Sequence, residues 1–367
     1  VRPYYYWEQL LYQLCRTRTY LERNRCRLSR NIYGLDLGSY EIKVYDKKQK
    51  TIWREKNAIA FADEKEIFAV GDEAYEMYGK TPDHIRVVFP MKEGVISGIT
   101  DMQYLLQNLL KRGHQFAYGS EYVIAVPTDV TELEKRAFCD LVLHSTARAK
   151  SVRIVARGIA DAVGAGIAVE REPGIFLVNF GASTMELSVL SYGGIVLNRL
   201  LKIGGMHLDR EIIQLVKNRY QILISGRTAE FLRKEAGLFP NRQESIYQVP
   251  CKKLGTGLPK YKEIPGTLVK TALREPLSDC VKEMTALLKR TPPEVRQAIE
   301  QKGIFLTGGM ASLSGLDRYL SHAGGWKVTV ANQPAICAVR GLEKIIHNKN
   351  LHKLTYEMSV ENDRWIR

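Results

Sequence analysis

The chain has 367 residues, 45% apolar and 26% charged, which is enough to bury a substantial core and, by length, to form two or three domains. No run of about 18 apolar residues occurs, which argues against a transmembrane helix. The six cysteines are scattered with no CxxC pair, against a zinc site or a disulfide framework and in keeping with a reducing cytoplasm. The net charge of +14 is uneven: residues 1–30 carry seven arginines against Glu8 and Glu22, behind an aromatic run from Tyr4 to Trp7. This basic aromatic extension has two readings, a segment without fixed structure or one that lies on an anionic membrane surface. No nucleic-acid-binding motif accompanies the charge, so nucleic acid is not an expected partner.

Ordered structure is expected from near Asn31. The stretch Asn31–Asp46 reads as strand, tight turn, strand, with Gly34 and Gly38 as punctuation, and a third short strand follows over Thr51–Phe61. A short helix is predicted over Ala69–Gly79 and a longer one over Ile99–Arg112. Then come a strand at Tyr122–Val126 and a helix opened by Thr131, which forms a capping box with Glu134. Arg153–Val155 reads as a strand leading to a helix through Ala160–Gly166, and the Pro/Gly-punctuated Glu170–Gly174 marks a domain boundary. Beyond it, Ile175–Val196 reads as a second strand–turn–strand. Helices are predicted near Met206–Tyr220, Thr228–Glu235, Pro265–Leu288 and Pro292–Gln301, then a buried strand in Gly303–Gly309 and a further helix. This alternation argues α/β with mixed sheets.

The two hairpins resemble each other. "YGLDLGSYEIKVYD" and "FLVNFGASTMELSVLS" each place an Asp or Asn, an apolar residue, Gly and a nearby hydroxyl between two apolar strands. Small residues and hydroxyls at such turns let backbone N–H groups approach a phosphate. Their repetition suggests a duplicated fold with one phosphate hairpin per half and a ligand cleft between the halves.

With "GDEAYEMYGKTPDHIRVVFPMKEGVI", "SGRTAEFLRKEAG", "LKRTPPEV" and "GIFLTGGMASLSGLDRYL", the chain resembles the ATPase superfamily of actin, heat-shock chaperones and sugar kinases, and within it the MreB family of bacterial actin homologues. The resemblance spans about Asn31 to His347 and implies an actin-like duplicated α/β ATPase fold, two domains around a nucleotide cleft. The expected division is 31–170 with a returning helix at about 334–350, 171–333, and a tail at 351–367. It implies ATP or ADP with Mg²⁺ as cofactors and membrane-associated filaments that determine cell shape. Residue by residue, Asp36, Gly38 and Ser39 match the first phosphate hairpin, with Asp36 near the metal's water shell. Asn179, Gly181, Ser183 and Thr184 match the second. Gly204, Gly205, Glu230, Arg233, Gly308 and Gly309 match positions that contact the nucleotide, the last two and Glu230 and Arg233 on the adenosine side.

Several positions depart from the family pattern. Asn179 stands for a usual Asp, Ala182 and Ser183 stand for glycines, and Tyr40 and Glu41 put bulk and charge beside the first turn. Aligned on Gly164-Ala165-Gly166, the catalytic Glu position is Arg157, which as a guanidinium has no acceptor. Asp161, one turn on, reads either as a surface ion-pair partner of Arg157 at i, i+4 or as a relocated catalytic carboxylate. Also, "GGMHLD" lacks the first acidic residue of the family's motif and keeps Asp209. The expectation is a nucleotide-binding protein with weakened hydrolysis, in which restoring Glu at 157 and Asp at 179 raises any residual rate.

Phe116 and Tyr118 match an apolar loop through which the family contacts membrane, and the inner face of the plasma membrane is the expected location. Expected partners are further copies of the chain, other MreB-family proteins and cell-wall synthesis proteins. "TGLPKYKEI" and "KRTPPEV" lie in regions the family uses along the filament. The alternatives are a non-polymerising regulatory pseudo-ATPase and a metabolic kinase or phosphatase of the same superfamily.

Overall fold

The computed structural model describes residues 31–357 apart from 64–65, 81–83, 113–118, 145–148 and 239–244. The first half opens with β1 (Ile32–Leu37), β2 (Glu41–Asp46) and β3 (Thr51–Lys56), paired antiparallel in sequence order. The strand expected over Thr51–Phe61 breaks at Asn57. Its buried amide bonds the carbonyls of Ser39 and Met91, and β4 (Ile59–Ala62) then starts a small sheet with β5 (Glu66–Val70) and β6 (Ile85–Val88). The helix expected from Ala69 begins later, because β5 runs to Val70 and Gly71 turns the chain at φ +64° into α1 (Asp72–Met77). A ribbon of β7 (Met91–Lys92) and β8 (Val95–Ile96) leads to α2 (Ile99–Arg112). Then follow β9 (Glu121–Val126), α3 (Glu132–Leu143), whose Thr131–Glu134 capping box forms as expected, and β10 (Ser151–Ala156).

The second half repeats the scheme. After α4 (Arg157–Gly164) come β11 (Ile175–Phe180), β12 (Met185–Ser191) and β13 (Gly194–Leu201), again antiparallel neighbours. α5 (Gly205–Tyr220), β14 (Ile222–Leu223) and α6 (Gly226–Ala236) precede the hairpin β15 (Ile246–Lys253)–β16 (Pro259–Pro265). α7 (Gly266–Arg290), α8 (Pro293–Lys302), β17 (Ile304–Thr307), α9 (Leu316–Gly324), β18 (Val328–Val330) and α10 (Cys337–His347) complete the order.

Sheet topology exposes the duplication. One sheet runs β10-β9-β1-β2-β3 and the other β18-β17-β11-β12-β13. In each, an antiparallel meander of three strands is extended past its first strand by two parallel ones. The first strands are central and covered on both faces, which is why Ile175-Phe176-Leu177-Val178 is continuously apolar rather than alternating.

Each sheet has its own apolar core, and a third core joins them: Val123, Val155, Leu177, Leu190, Leu342 and Ile345 pack together around α4 and α10. α4 is buried on every side from Arg157 to Val163, which its small residues Gly158, Ala160 and Ala162 allow. It crosses α10 with almost no side chains between them. A Cβ on Gly164 would lie 1.9 Å from the Cys337 carbonyl oxygen, and one on Gly341 1.8 Å from that of Ala160. Among the described residues no helix is long and apolar enough to cross a membrane.

Candidate functional site: two facing turns and a buried charge cluster

The two hairpin turns are closed by the same bond. The Gly38 amide donates to the Glu41 carbonyl at 3.2 Å, and the Gly181 amide to the Thr184 carbonyl at 2.8 Å. A Cβ on Gly38 would clash with that Glu41 oxygen at 2.7 Å, and one on Gly181 would crowd its Thr184 counterpart at 3.1 Å. The turns face each other across the halves, and the Ser183 hydroxyl donates to Ser39 Oγ at 2.6 Å. Behind the second turn, Gly205 and Met206 donate their amides to the carbonyls of Gly181 and Ala182, so Gly204 and Gly205 anchor the start of α5 to the turn. Thr184, at the end of the turn, is buried. Gly308 adopts φ +86° with its Cα close against Phe180, where a Cβ would lie 2.4 Å from the carbonyl oxygen. Gly309 beside it has open space where a side chain would be.

Beneath the turns lies a buried cluster of charge. Asp36 and Lys43 are directly opposed in the β1–β2 register, and Lys43 Nζ reaches Asp36 Oδ2 at 3.1 Å with both side chains buried. Arg157, at the head of α4, places Nε 3.8 Å from Asp36 Oδ1 and donates through Nη2 to the Leu37 carbonyl at 3.2 Å. Asp161 is not the surface partner of Arg157 that its spacing suggests. It is 1% exposed and accepts a 2.6 Å hydrogen bond from Asn179 Nδ2. The reason is the burial of α4 on all faces: a one-turn spacing aligns the residues, but the neighbouring strands claim each side chain first.

Burial pushes the Asp161 carboxyl up to about 8; the Asn179 bond opposes this, while Asp36 adds to it. Glu186, on β12, is likewise raised by burial, with Arg157 and the bond from the Thr128 amide opposing. Arg157 Nε, Asp161 Oδ1 and Glu186 Oε2 are each buried without a hydrogen-bond partner, as is Thr307 Oγ1 beside Asn179 in the β11–β17 pairing.

On the other flank, Glu230 of α6 is committed to a clasp between the halves. Its Oε1 accepts from the Tyr40 hydroxyl at 3.2 Å and from Lys234 at 2.6 Å, and its Oε2 from the Tyr75 hydroxyl at 3.2 Å. Burial, then the Glu230 carboxylate, pushes the Tyr40 hydroxyl up to about 12, so it stays a donor. Arg227 extends the clasp, gripping Glu76 with both terminal nitrogens at 2.9 and 3.0 Å. Arg233 lies deeper, buried and forked onto Asp209 at 2.7 and 3.3 Å. Asp209, the acid retained in the "GGMHLD" stretch, thus serves to hold Arg233.

The profile of the MreB/Mbl protein family matches residues 30–354. The chain belongs to the MreB/Mbl family. The cell shape-determining protein MreB of Escherichia coli K12 is 32% identical over 331 residues, 88% of this chain and 95% of that one. The cell shape-determining protein Mbl of Bacillus subtilis 168 is 30% identical over 86% of this chain and 95% of its own length. Among solved structures, MreB5 of Spiroplasma citri bound to ADP superposes with a TM-score of 0.83 at 29% identity, covering 89% of this chain and 98% of that one. The actin-like architecture of two sheet-containing domains follows.

For this MreB-family chain, Asp36, Gly38, Ser39, Asn179, Gly181, Ser183 and Thr184 converge, with Gly204, Gly205, Gly308 and Gly309 around them. Glu230 and Arg233 sit on the opposite flank, each already engaged by a protein partner. Phe116 and Tyr118 lie outside the described residues, as does the extension 1–30. Two participants escaped the sequence reading. Lys43 is visible only once the hairpin register sets it across from Asp36, and Tyr75 reaches Glu230 from a separate small sheet.

The fit of a nucleotide and of a divalent ion can be tested separately. Turns that each open on a glycine and face each other with hydroxyls suit a phosphate chain approached by backbone, and the open space at Gly309 lies beside them. The donor set does not suit Mg²⁺. Both Asp36 oxygens already face cations, Lys43 on one and Arg157 on the other, and Asn179 brings no charge and turns its NH₂ to Asp161. Among the described residues no three His, Cys, Asp or Glu side chains form a metal-holding group.

Proposed function

We propose that the protein is an MreB-type cytoskeletal protein that binds ATP or ADP between its halves and assembles into filaments at the inner face of the plasma membrane. There it helps determine cell shape by organising cell-wall synthesis, with nucleotide hydrolysis weakened. The carrying observation is the pair of identically closed turns that meet through Ser39 and Ser183 in an MreB/Mbl-family chain. Relatives named as cell shape-determining proteins, and MreB5 structures with ADP and with AMPPNP, support the reading. The halves are taken as 31–170 with the returning helix, and 171–333. Phe116 and Tyr118 are the proposed membrane contacts, and further copies of the chain, other MreB-family proteins and wall-synthesis proteins the proposed partners.

Weakened hydrolysis rests on Arg157. Water aligned for attack on a phosphate needs an acceptor, and a guanidinium is a donor only. Its ion pair to Asp36 also fits a regulatory pseudo-ATPase that binds filaments of other family members without forming its own. Pelleting of the purified chain with ATP, with ADP and without nucleotide decides between them: ordered filaments support the first reading, and a soluble chain that co-pellets only with a partner filament supports the second. Phosphate release at the rate of an E. coli-type MreB assayed in parallel would refute weakened hydrolysis.

A further inference from the structure

We infer that this site binds the phosphates of a nucleotide without a divalent cation, the Arg157 guanidinium and the Lys43 ammonium supplying the positive charge; the inference rests on the nucleotide reading above. Three independent features of the buried cluster lead there. Asp36, the carboxylate placed to hold a metal's water shell, has Lys43 at 3.1 Å on one oxygen and Arg157 at 3.8 Å on the other. A carboxylate so neutralised offers little to a dication, and the dication would in turn be repelled by both neighbours. The second hairpin adds nothing to offset this, because Asn179 is neutral and its NH₂ is spent on Asp161.

The third feature is where Arg157 sits. The guanidinium touches Asp36, so a cation fixed to the fold stands beside the carboxylate that would otherwise face a bound metal. Its Nη2 bonds the carbonyl of Leu37, the residue before the Gly38 turn, which fixes it directly beneath the first phosphate hairpin. Its buried Nε, 3.8 Å from Asp36, makes no hydrogen bond, leaving donor capacity unused. A guanidinium matches phosphate oxygens as a planar fork and an ammonium as a point charge, and both are donors that phosphate, not metal, would satisfy. Arg157 at the position where relatives are expected to carry Glu then has a positive role, as the charge that takes over from the metal.

The test is calorimetric titration of ADP into the full chain, once with Mg²⁺ and once with EDTA. The expected dissociation constants agree within about threefold. Arg157→Gln and Lys43→Met, each checked for a native circular-dichroism spectrum, weaken ADP binding in EDTA by about tenfold or more, the loss expected for a charged hydrogen bond. Binding by the unaltered chain that falls more than about tenfold in EDTA overturns the inference and leaves the nucleotide site standing. Unaltered ADP affinity in Lys43→Met also overturns it. No ADP binding in either buffer removes the nucleotide reading and this inference together.

Discussion

Replacing Arg157 by Glu, the single step that restores the residue expected in its relatives, should destabilise the fold, so any rate gained by restoring Glu at 157 with Asp at 179 comes at a cost in stability. At 3.8 Å from Asp36 and an effective dielectric of about 20, the lost attraction is about 4 kcal/mol, and the new carboxylate converts it into a repulsion of similar size. Asp161 and Glu186, both buried beside it, leave nowhere for the added charge to be solvated. Uptake of a proton by one acid limits the damage, so the net loss should approach that of breaking a buried ion pair, about 3–5 kcal/mol. For a chain of this size that is a fall in Tm of about 4–7 °C. Thermal melts by circular dichroism at neutral pH measure it. Arg157→Glu combined with Asp36→Asn should recover at least half of the loss, because it removes the carboxylate that Arg157 faces at 3.8 Å. A single variant melting within about 3 °C of the unaltered protein would refute the electrostatic account of the cluster.

The remaining predictions address other parts of the site. Asp161 holds its proton up to about pH 8 in the fold but loses it near pH 4 when unfolded, so the folded state binds more protons between these values. Its contribution is therefore favourable at low pH and is lost as pH rises through about 8. Asp161→Asn, neutral throughout, should gain in Tm over the unaltered chain from pH 5 to pH 8, and a constant difference would contradict the assignment. Tyr40→Phe with Tyr75→Phe removes two hydrogen bonds from Glu230, and at about 1 kcal/mol each should speed release of a fluorescent ADP analogue by fivefold or more in stopped flow. An unchanged release rate would mean that the clasp does not guard the site. Gly341→Ala should cost about 3 kcal/mol or prevent soluble expression, since its Cβ meets backbone at 1.8 Å; a normal melting curve would contradict the packing.

Much of the fold was legible because its signals are local. Alternation and glycine placement marked both hairpins, and Thr131 with Glu134 marked a helix start whose box forms as written. The β15–β16 hairpin was not legible: it mixes Pro250, Pro259 and Pro265 with lysines, and Pro250 lies beyond the short β14, which pairs only with Lys252 and Lys253. The site divided along the same line. The turns could be read from residue types in sequence, whereas Lys43 opposite Asp36, Tyr75 on Glu230 and Asn179 on Asp161 are pairings across strands or between halves. Helical spacing suggested Arg157 with Asp161, and the structure gives each a different partner because α4 is enclosed on every face.

The contact of α4 with α10 bears on how the two halves can move. Among the described residues the chain passes between the two large sheets twice, once leaving through α4 and once returning into α10, and these passages touch backbone to backbone at Gly164 and Gly341. A contact without intervening side chains has no rotamers to rearrange and no slack to take up, so one half cannot slide along the other there. What it leaves free is rotation. Any swing of one half against the other would have to turn about the glycine crossing, and the Arg227–Glu76 clasp, which joins the halves elsewhere, would have to open for it.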